Sequence, residues 1–293
     1  MDKLISSLIA FLIAVVPAFP IQLTNPPINQ TTIIFTGDIM LGRSVMGAAI
    51  DNNDNLYPFR HVSDVIKNAD ITMANLENPI IKDCPRVSGG FKFCTSPEIA
   101  QGLLFSGVDI VSLSNNHSGN YSQSGLNETK KYLSDLGIKY VDGSNLEIIE
   151  KNGVKYGFLA FDYTISKDNL VRDLELIKTS DLQIDNLIVM PHWGEEYKET
   201  ANKFQVETAH KMIENGADTI VGSHPHWIQN YEEYQNKPIY YSLGNFVFDQ
   251  TWSEETKKGL VVKMTFENKD LVKCEEFKTY TPKIGQPVLQ DGV

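Results

Sequence analysis

The sequence predicts an α/β fold on three observations. Short apolar runs of strand length alternate with segments of helical spacing, the pattern of parallel strands joined by crossover helices. Four of those runs end in residue types that bind metals: Ile33 to Asp38, Ile110 to His117, Leu187 to His192 and Thr219 to His226. Sites in α/β folds are assembled at the carboxyl ends of strands, so this layout brings distant residues to one place. Two further stretches read as hairpins, at 147–156 around Asn152-Gly153 and at 259–280 around Asn268-Lys269-Asp270, and add antiparallel strands.

Taken in order, the chain opens with Lys3 and an apolar run from Leu4 to Val16, broken by Pro17-Ala18-Phe19-Pro20. About 13 apolar residues is the length of a signal-peptide core and short of the roughly 20 that cross a bilayer. Residues 1–20 are therefore expected to be a signal peptide or an uncleaved membrane anchor. By either route the protein is expected to be exported, to the cell surface or beyond, and to touch the membrane if the segment stays; a buried N-terminal helix is the other reading. A Pro/Asn/Thr-rich linker at 21–31, one domain at 32–282 and a tail at 283–293 complete the expected organisation. Strands are expected at 33–37, 71–75, 108–113, 138–141, 154–161, 186–190, 218–222 and 239–243. Helices are expected at 58–68, 97–105, 122–136, 170–180 and 198–215, with a further one near 44–51.

Composition narrows the function. A hydrophobic fraction of 42% over 293 residues is enough for a packed core. The net charge of −11 argues against a nucleic-acid binder, whose affinity rests on clustered Lys and Arg, and against electrostatic adhesion to an anionic membrane. Three cysteines are few. Cys84 and Cys94 bracket Gly89-Gly90, so a hairpin can bring them together, while spacing leaves open whether they bond. Cys274 is expected to be a small buried apolar residue. No Cys-x-x-Cys pair is present, so a thiolate zinc site is not expected.

The chemistry rests on the strand ends. Gly222-Ser223-His224-Pro225-His226 puts two imidazoles on one turn, and neutral imidazole ligates zinc, iron and similar ions. Asp38 projects from a strand end as a carboxylate ligand, or caps the helix near 44–51. Glu77, after Asn75-Leu76, can bridge two ions with its two oxygens, or sit on a surface loop. Asn116 offers an amide oxygen. His117 beside it can ligate or act as a general acid. His192, in Pro191-His192-Trp193-Gly194, reads as a ligand. Arg43, Asn115, Trp193, Trp227 and Asn245 are the expected pocket-lining residues, with core packing the other reading of the two tryptophans. His61 and His210 read as structural or surface residues.

These motifs together, Gly37-Asp38-x-Met40-Leu41-Gly42, Asn75-Leu76-Glu77, Ser112-x-Ser114-Asn115-Asn116-His117, Pro191-His192-Trp193-Gly194, Gly222-Ser223-His224-Pro225-His226 and Tyr241-Ser242-Leu243-Gly244-Asn245-Phe246, resemble the CapA/PgsA family of poly-gamma-glutamate capsule-synthesis proteins. The resemblance covers about residues 33–250. It implies a four-layer αββα sandwich of two mixed sheets, of the calcineurin-like metallophosphoesterase type. By that similarity Asp38 and His226 would serve one metal, Asn116, His192 and His224 a second, with Glu77 bridging and His117 assisting the leaving group. Two departures stand out. Met40 occupies the place of the histidine ligand in the Asp-x-His of the phosphoesterases, and Glu77 replaces their usual Asp. The first metal position is thus one ligand short.

One or two divalent ions are implied, manganese, iron or zinc by the O/N donor set. Three functions follow as expectations. The leading one is an exported CapA-like protein of capsule-polymer synthesis or processing, with a metal-dependent hydrolase-type site acting on an anionic polymer. The second is a metal-dependent phosphoesterase for exported phosphoesters. The third is a non-catalytic scaffold in a membrane polymer-synthase complex. Fold alone does not choose among them.

Overall fold

The structure is a computed structural model describing residues 29–290, so the targeting segment expected at 1–20 and the linker through residue 28 lie outside the described residues. Among the described residues, β1 (Gln30–Ile39) leads into α1 (Arg43–Asp51) and the single-turn α2 (Ser63–Ile66). Next come β2 (Ile71–Leu76), α3 (Pro97–Phe105), β3 (Ile110–Ser112), α4 (Ser122–Asp135) and β4 (Lys139–Val141). A hairpin of β5 (Glu147–Lys151) and β6 (Val154–Asp162) precedes α5 (Leu170–Asp181), β7 (Asn186–His192), α6 (Lys203–Glu214) and β8 (Thr219–Val221). The chain ends with β9 (Tyr231–Tyr234), β10 (Lys237–Tyr240), β11 (Asn245–Val247), β12 (Lys258–Glu267), β13 (Asp270–Lys283) and β14 (Gln286–Leu289).

Two sheets result. The first runs β14-β13-β12-β1-β2-β3-β4, with β11 also paired to β1; the second runs β5-β6-β7-β8-β10-β9. β1 to β4 are parallel, and β12 joins β1 antiparallel. Strand alternation sorts the side chains into layers. Ile33, Phe35, Ile188 and Met190 face the gap between the sheets. Ile34 and Ile39 face the layer of α1 and α3, and Leu187 and Val189 face that of α5 and α6. Three separate apolar clusters are the three interfaces of a four-layer αββα sandwich. That is the fold the motifs imply.

Several expectations change. The helix expected at 58–68 breaks into a 3₁₀ turn at Tyr57–Phe59 and the short α2, although Phe59, Val62 and Ile66 keep a helical spacing and are all buried. The helix expected at 198–215 starts later, at Lys203, where Asn202 and Gln205 form a reciprocal capping box. Residues 195–201 are thereby freed as a loop. Gln30 and Thr31, placed in the linker, are already β1, and the tail from 283 supplies β14. β9 and β11 have no counterpart among the expected strands. The bond left open by the spacing is present: Cys84 and Cys94 form a disulfide. Cys274 is exposed rather than buried, in a stretch of β13 where residues 272–274 are all exposed.

Candidate metal centre

The centre sits where the parallel strands of both sheets end. β1 pairs with β12 as far as Thr36, then takes β11 as its neighbour from Asp38 onward. The exchange requires a backbone crossing at Gly37: a Cβ there would lie 2.1 Å from the carbonyl oxygen of Gly244. β2 brings Asn75 beside Asp38 in register, and Glu77 follows one residue past its end, its N–H donating to the Ile39 carbonyl at 2.7 Å. From the second sheet, β7 ends on His192. The turn after β8 carries His224 and His226 at φ values of 98° and 58°, a left-handed conformation that non-glycine residues adopt at a cost.

The side chains converge. Asp38, Glu77 and His192 each offer a ligand atom, all within 4.8 Å of one another. His226 Nδ1 lies 3.3 Å from Asp38 Oδ2, and its Nε2 is 3.8 Å from Glu77 Oε1. His192 Nε2 faces Asn116 Oδ1 at 3.0 Å, and the rings of His192 and His224 are 4.8 Å apart. His117 Nε2 stands 3.8 Å from Glu77 Oε1. Both Glu77 oxygens and His224 Nδ1 are buried with no hydrogen-bond partner. Such groups are rare in folded proteins because each costs about 1–3 kcal/mol when unsatisfied. A divalent cation satisfies all of them, so these residues fit one.

A second set of residues holds the first in place. Asn75 donates to Asp38 Oδ1 at 2.9 Å and accepts from Asn115 at 3.0 Å. The Ser223 hydroxyl is 2.8 Å from His192 Nδ1. His226 Nδ1 is also 2.9 Å from Asn245 Oδ1, an oxygen that can only accept. His117 Nδ1 meets Asn120 Oδ1 at 3.1 Å, which leaves Nε2 to carry any exchangeable proton. Phe93, on the loop closed by the disulfide, stacks on His117 at 3.9 Å. Such partners fix the tautomer and aim of a ligand.

Electrostatics follow burial. Glu77 is fully buried, and desolvation raises its pKa well above the ordinary value, against the pull of His226. Burial works against the charged form of His226, yet Glu77 and Asp38 outweigh it and push its pKa up to about 9. Burial, with His226 nearby, lowers His224 to about 4. His192 is driven well down by burial and by the neighbouring imidazoles. Burial lowers His117, while Asn120 works the other way. His192 and His224 are thus kept as neutral imidazoles, the form that ligates a cation.

The structure therefore brings Asp38, Glu77, Asn116, His117, His192, His224 and His226 together. The residues expected to line the pocket divide differently. Trp193 is fully buried in the outer core, its indole N–H donating to the Tyr241 carbonyl at 2.9 Å, so it packs rather than touches the site. Asn115 and Asn245 are buried and occupied by the contacts above. The Arg43 guanidinium pairs with Asp249 and lies 4.4 Å over Phe93, so its charge ties loops together. Trp227 stays near the rim. Met40 is fully buried with the helix-side core and supplies no ligand. Sequence reasoning missed Asn75, Ser223, Asn120, Phe93 and Tyr197. Asn75 and Ser223 lay inside quoted motifs, beside the residues read as ligands.

Comparison with known proteins places this geometry. A family model described as bacterial capsule synthesis protein PGA_cap matches residues 32–250. Capsule biosynthesis protein CapA of Bacillus anthracis is 31% identical over 261 residues, covering 80% of this chain and 63% of that protein. PGA biosynthesis protein CapA of Bacillus subtilis is 30% identical over 250 residues, covering 78% and 66%. The chain thus matches just under two thirds of the length of these relatives. A crystal structure of a hypothetical protein from Thermus thermophilus superposes with a TM-score of 0.58 at 16% identity, over 86% of this chain and 100% of that one, which shows a shared fold. With the ordered motifs, the four-layer sandwich and the family match in agreement, the chain belongs to the bacterial capsule synthesis protein family PGA_cap, of calcineurin-like metallophosphoesterase fold.

Proposed function

We propose that this protein serves capsule-polymer synthesis or processing as a metal-dependent hydrolase-type enzyme, acting on an anionic amide polymer such as poly-gamma-glutamate. The observation that carries the reading is Glu77: a fully buried carboxylate with two unpartnered oxygens, facing His117 and His226. A scaffold has no need of such an arrangement, which costs stability unless a cation is held. The names of the relatives, capsule and PGA biosynthesis proteins, supply the polymer. Residues 1–20 would place the site outside the cell, on the membrane or released from it.

Asp38 and His226 would hold one ion and Asn116, His192 and His224 another, with Glu77 between. When bound, the ions would lower the pKa of water and polarise the scissile carbonyl or phosphoryl group. The rest falls to the chain. Asn75 fixes the Asp38 carboxylate, Asn245 fixes the His226 ring, and Asn120 holds His117 so that Nε2 can protonate the departing group. Met40 in place of a histidine ligand weakens the first position and with it the phosphoesterase alternative.

Elemental mass spectrometry on the purified full chain, beside His192→Ala and His224→Ala, tests the reading. One or two equivalents of manganese, iron or zinc, lost in the variants, is the expected result. No metal after reconstitution with any of the three sinks the hydrolase. Cleavage of a γ-linked glutamate oligomer but not of an aryl phosphate then separates the polymer reading from the phosphoesterase.

A further inference from the structure

Beside the centre, aromatic rings converge where the loop at 195–201 meets the loop after β11. The Tyr197 ring lies 6.1 Å from His226, 6.4 Å from Trp227 and 4.7 Å edge-on from Trp252. Trp252 is 61% exposed, so its open face looks onto solvent next to the site. Tyr197 is pinned there. Its N–H donates to the Pro225 carbonyl at 2.8 Å, and its hydroxyl accepts from Gln250 at 3.3 Å.

The surroundings are acidic. Glu195, Glu196 and Glu199 flank Tyr197 against Lys198 alone, and among the described residues none of the three has an ion-pair partner. The lysines of the facing loop are taken: Lys257 pairs with Glu254 at 2.7 Å and Lys258 with Glu255 at 3.2 Å. The charge of Glu196 reaches Glu77, His224 and His226. A cavity of about 800 Å³ opens beside Trp227, the one ring of the three that lines it, with Glu199 and Glu255 balanced by Lys258 and Lys278.

We propose that Tyr197, Trp227, Trp252 and Glu196 form a recognition site for an organic ammonium group, the free amino end of the amide polymer. Ring faces attract cations, and an unpaired carboxylate adds Coulomb attraction. A polymer of carboxylates carries one such cation, at its amino terminus. The acidic loop at 195–199 repels the body of the chain and accepts that end, so it selects chain termini over interior bonds. The inference rests on the polymer reading above.

The test is isothermal titration of the manganese-loaded full chain with a γ-linked glutamate pentamer, free or acetylated at its amino end. The free pentamer is expected to bind about tenfold tighter. Trp252→Ala and Glu196→Gln, both at exposed positions, are each expected to bring that ratio close to one. Equal affinity for the two pentamers, absence of binding by both, or a ratio that survives both substitutions overturns the proposal. Metal content on the same samples keeps the two readings apart. Intact metal without discrimination removes the ammonium site alone, whereas absent metal removes the hydrolase.

Discussion

The two sheets meet at the centre with different equipment. The first brings acids and amides, Asp38, Glu77, Asn75, Asn115 and Asn116; the second brings imidazoles, His192, His224 and His226. The first half is largely tied by hydrogen bonds before any ligand arrives, with Asp38, Asn75 and Asn115 forming a closed chain. In the second, His224 and His226 sit on a strained turn, and His224 Nδ1 has no partner. One half supplies carboxylates and amides in a set position, and the other supplies imidazoles, two of them on a strained turn. The contrast teaches that neither sheet alone makes a site, and that Glu77 is the unsatisfied group on which both depend.

The strongest way to break this comparison is Glu77→Gln. It is expected to abolish metal retention and to cut any hydrolysis on the order of a thousandfold. Added manganese at 100 times its Kd should stabilise the native protein by about 2.7 kcal/mol and the variant not at all, read as a shift in Tm. Retention of metal by the variant would mean that the charge of the first sheet does not draw the ion. Next come His192→Ala and His224→Ala on the second sheet, each expected to weaken metal binding by roughly a hundredfold or more, measured by competition with a chelator.

Acidity sharpens the contrast within the imidazoles. In metal-free protein the folded pKa of His226, about 9, lies above its ordinary 6.5. Its stabilisation is therefore fully present below 6.5 and is lost as pH rises through about 9. His224, lowered to about 4, acts in the opposite sense, and stability falls as pH drops from 6.5 through about 4. Urea denaturation across pH should show His226→Gln flattening the alkaline limb and leaving the acid limb in place.

A milder probe is Asn75→Ala, which removes no ligand but takes away the hydrogen bond that holds Asp38. About tenfold weaker metal binding and a loss of about 1–3 kcal/mol are expected, since Asp38 and Asn115 both lose a buried partner. Smallest for the metal is Cys84→Ser with Cys94→Ser. Opening a loop of sequence separation 10 costs about 2–3 kcal/mol of stability but should leave metal content unchanged, because that loop touches His117 through Phe93 rather than any other member of the cluster.

The strand ends were legible because each apolar run stops at a residue type that apolar packing cannot explain. Asp38, His192 and His224 follow that logic. The parallel core strands and the capping-box helix were legible too, though Asn202 rather than residue 198 marks the start of α6. β11 was not, since its three residues pair only after the chain has returned across the whole domain to β1. Trp193 misled because adjacency to His192 along the strand sends its side chain to the opposite face; Asn245 reaches the centre through His226. Tyr197 was hidden beside an expected helix start that the structure moves five residues along the chain, from 198 to Lys203. The role of Asn120 depends on a turn that aims it back at His117, and spacing does not encode that.

The neighbours of β1 have a temporal consequence. Its partner β12 is paired from Gln30 with Glu267 to Thr36 with Val261, and β11 completes the Asp38 end with Asn245. The strand synthesised first in the domain is thus clasped by strands synthesised last. Closing so long a loop is entropically slow, and such contacts form late in folding. During synthesis Asp38 and Glu77 emerge long before the segment that encloses them. On the proposed reading, metal capture would then be a final event, and a chain truncated before β11 would present loose carboxylates instead of a finished centre.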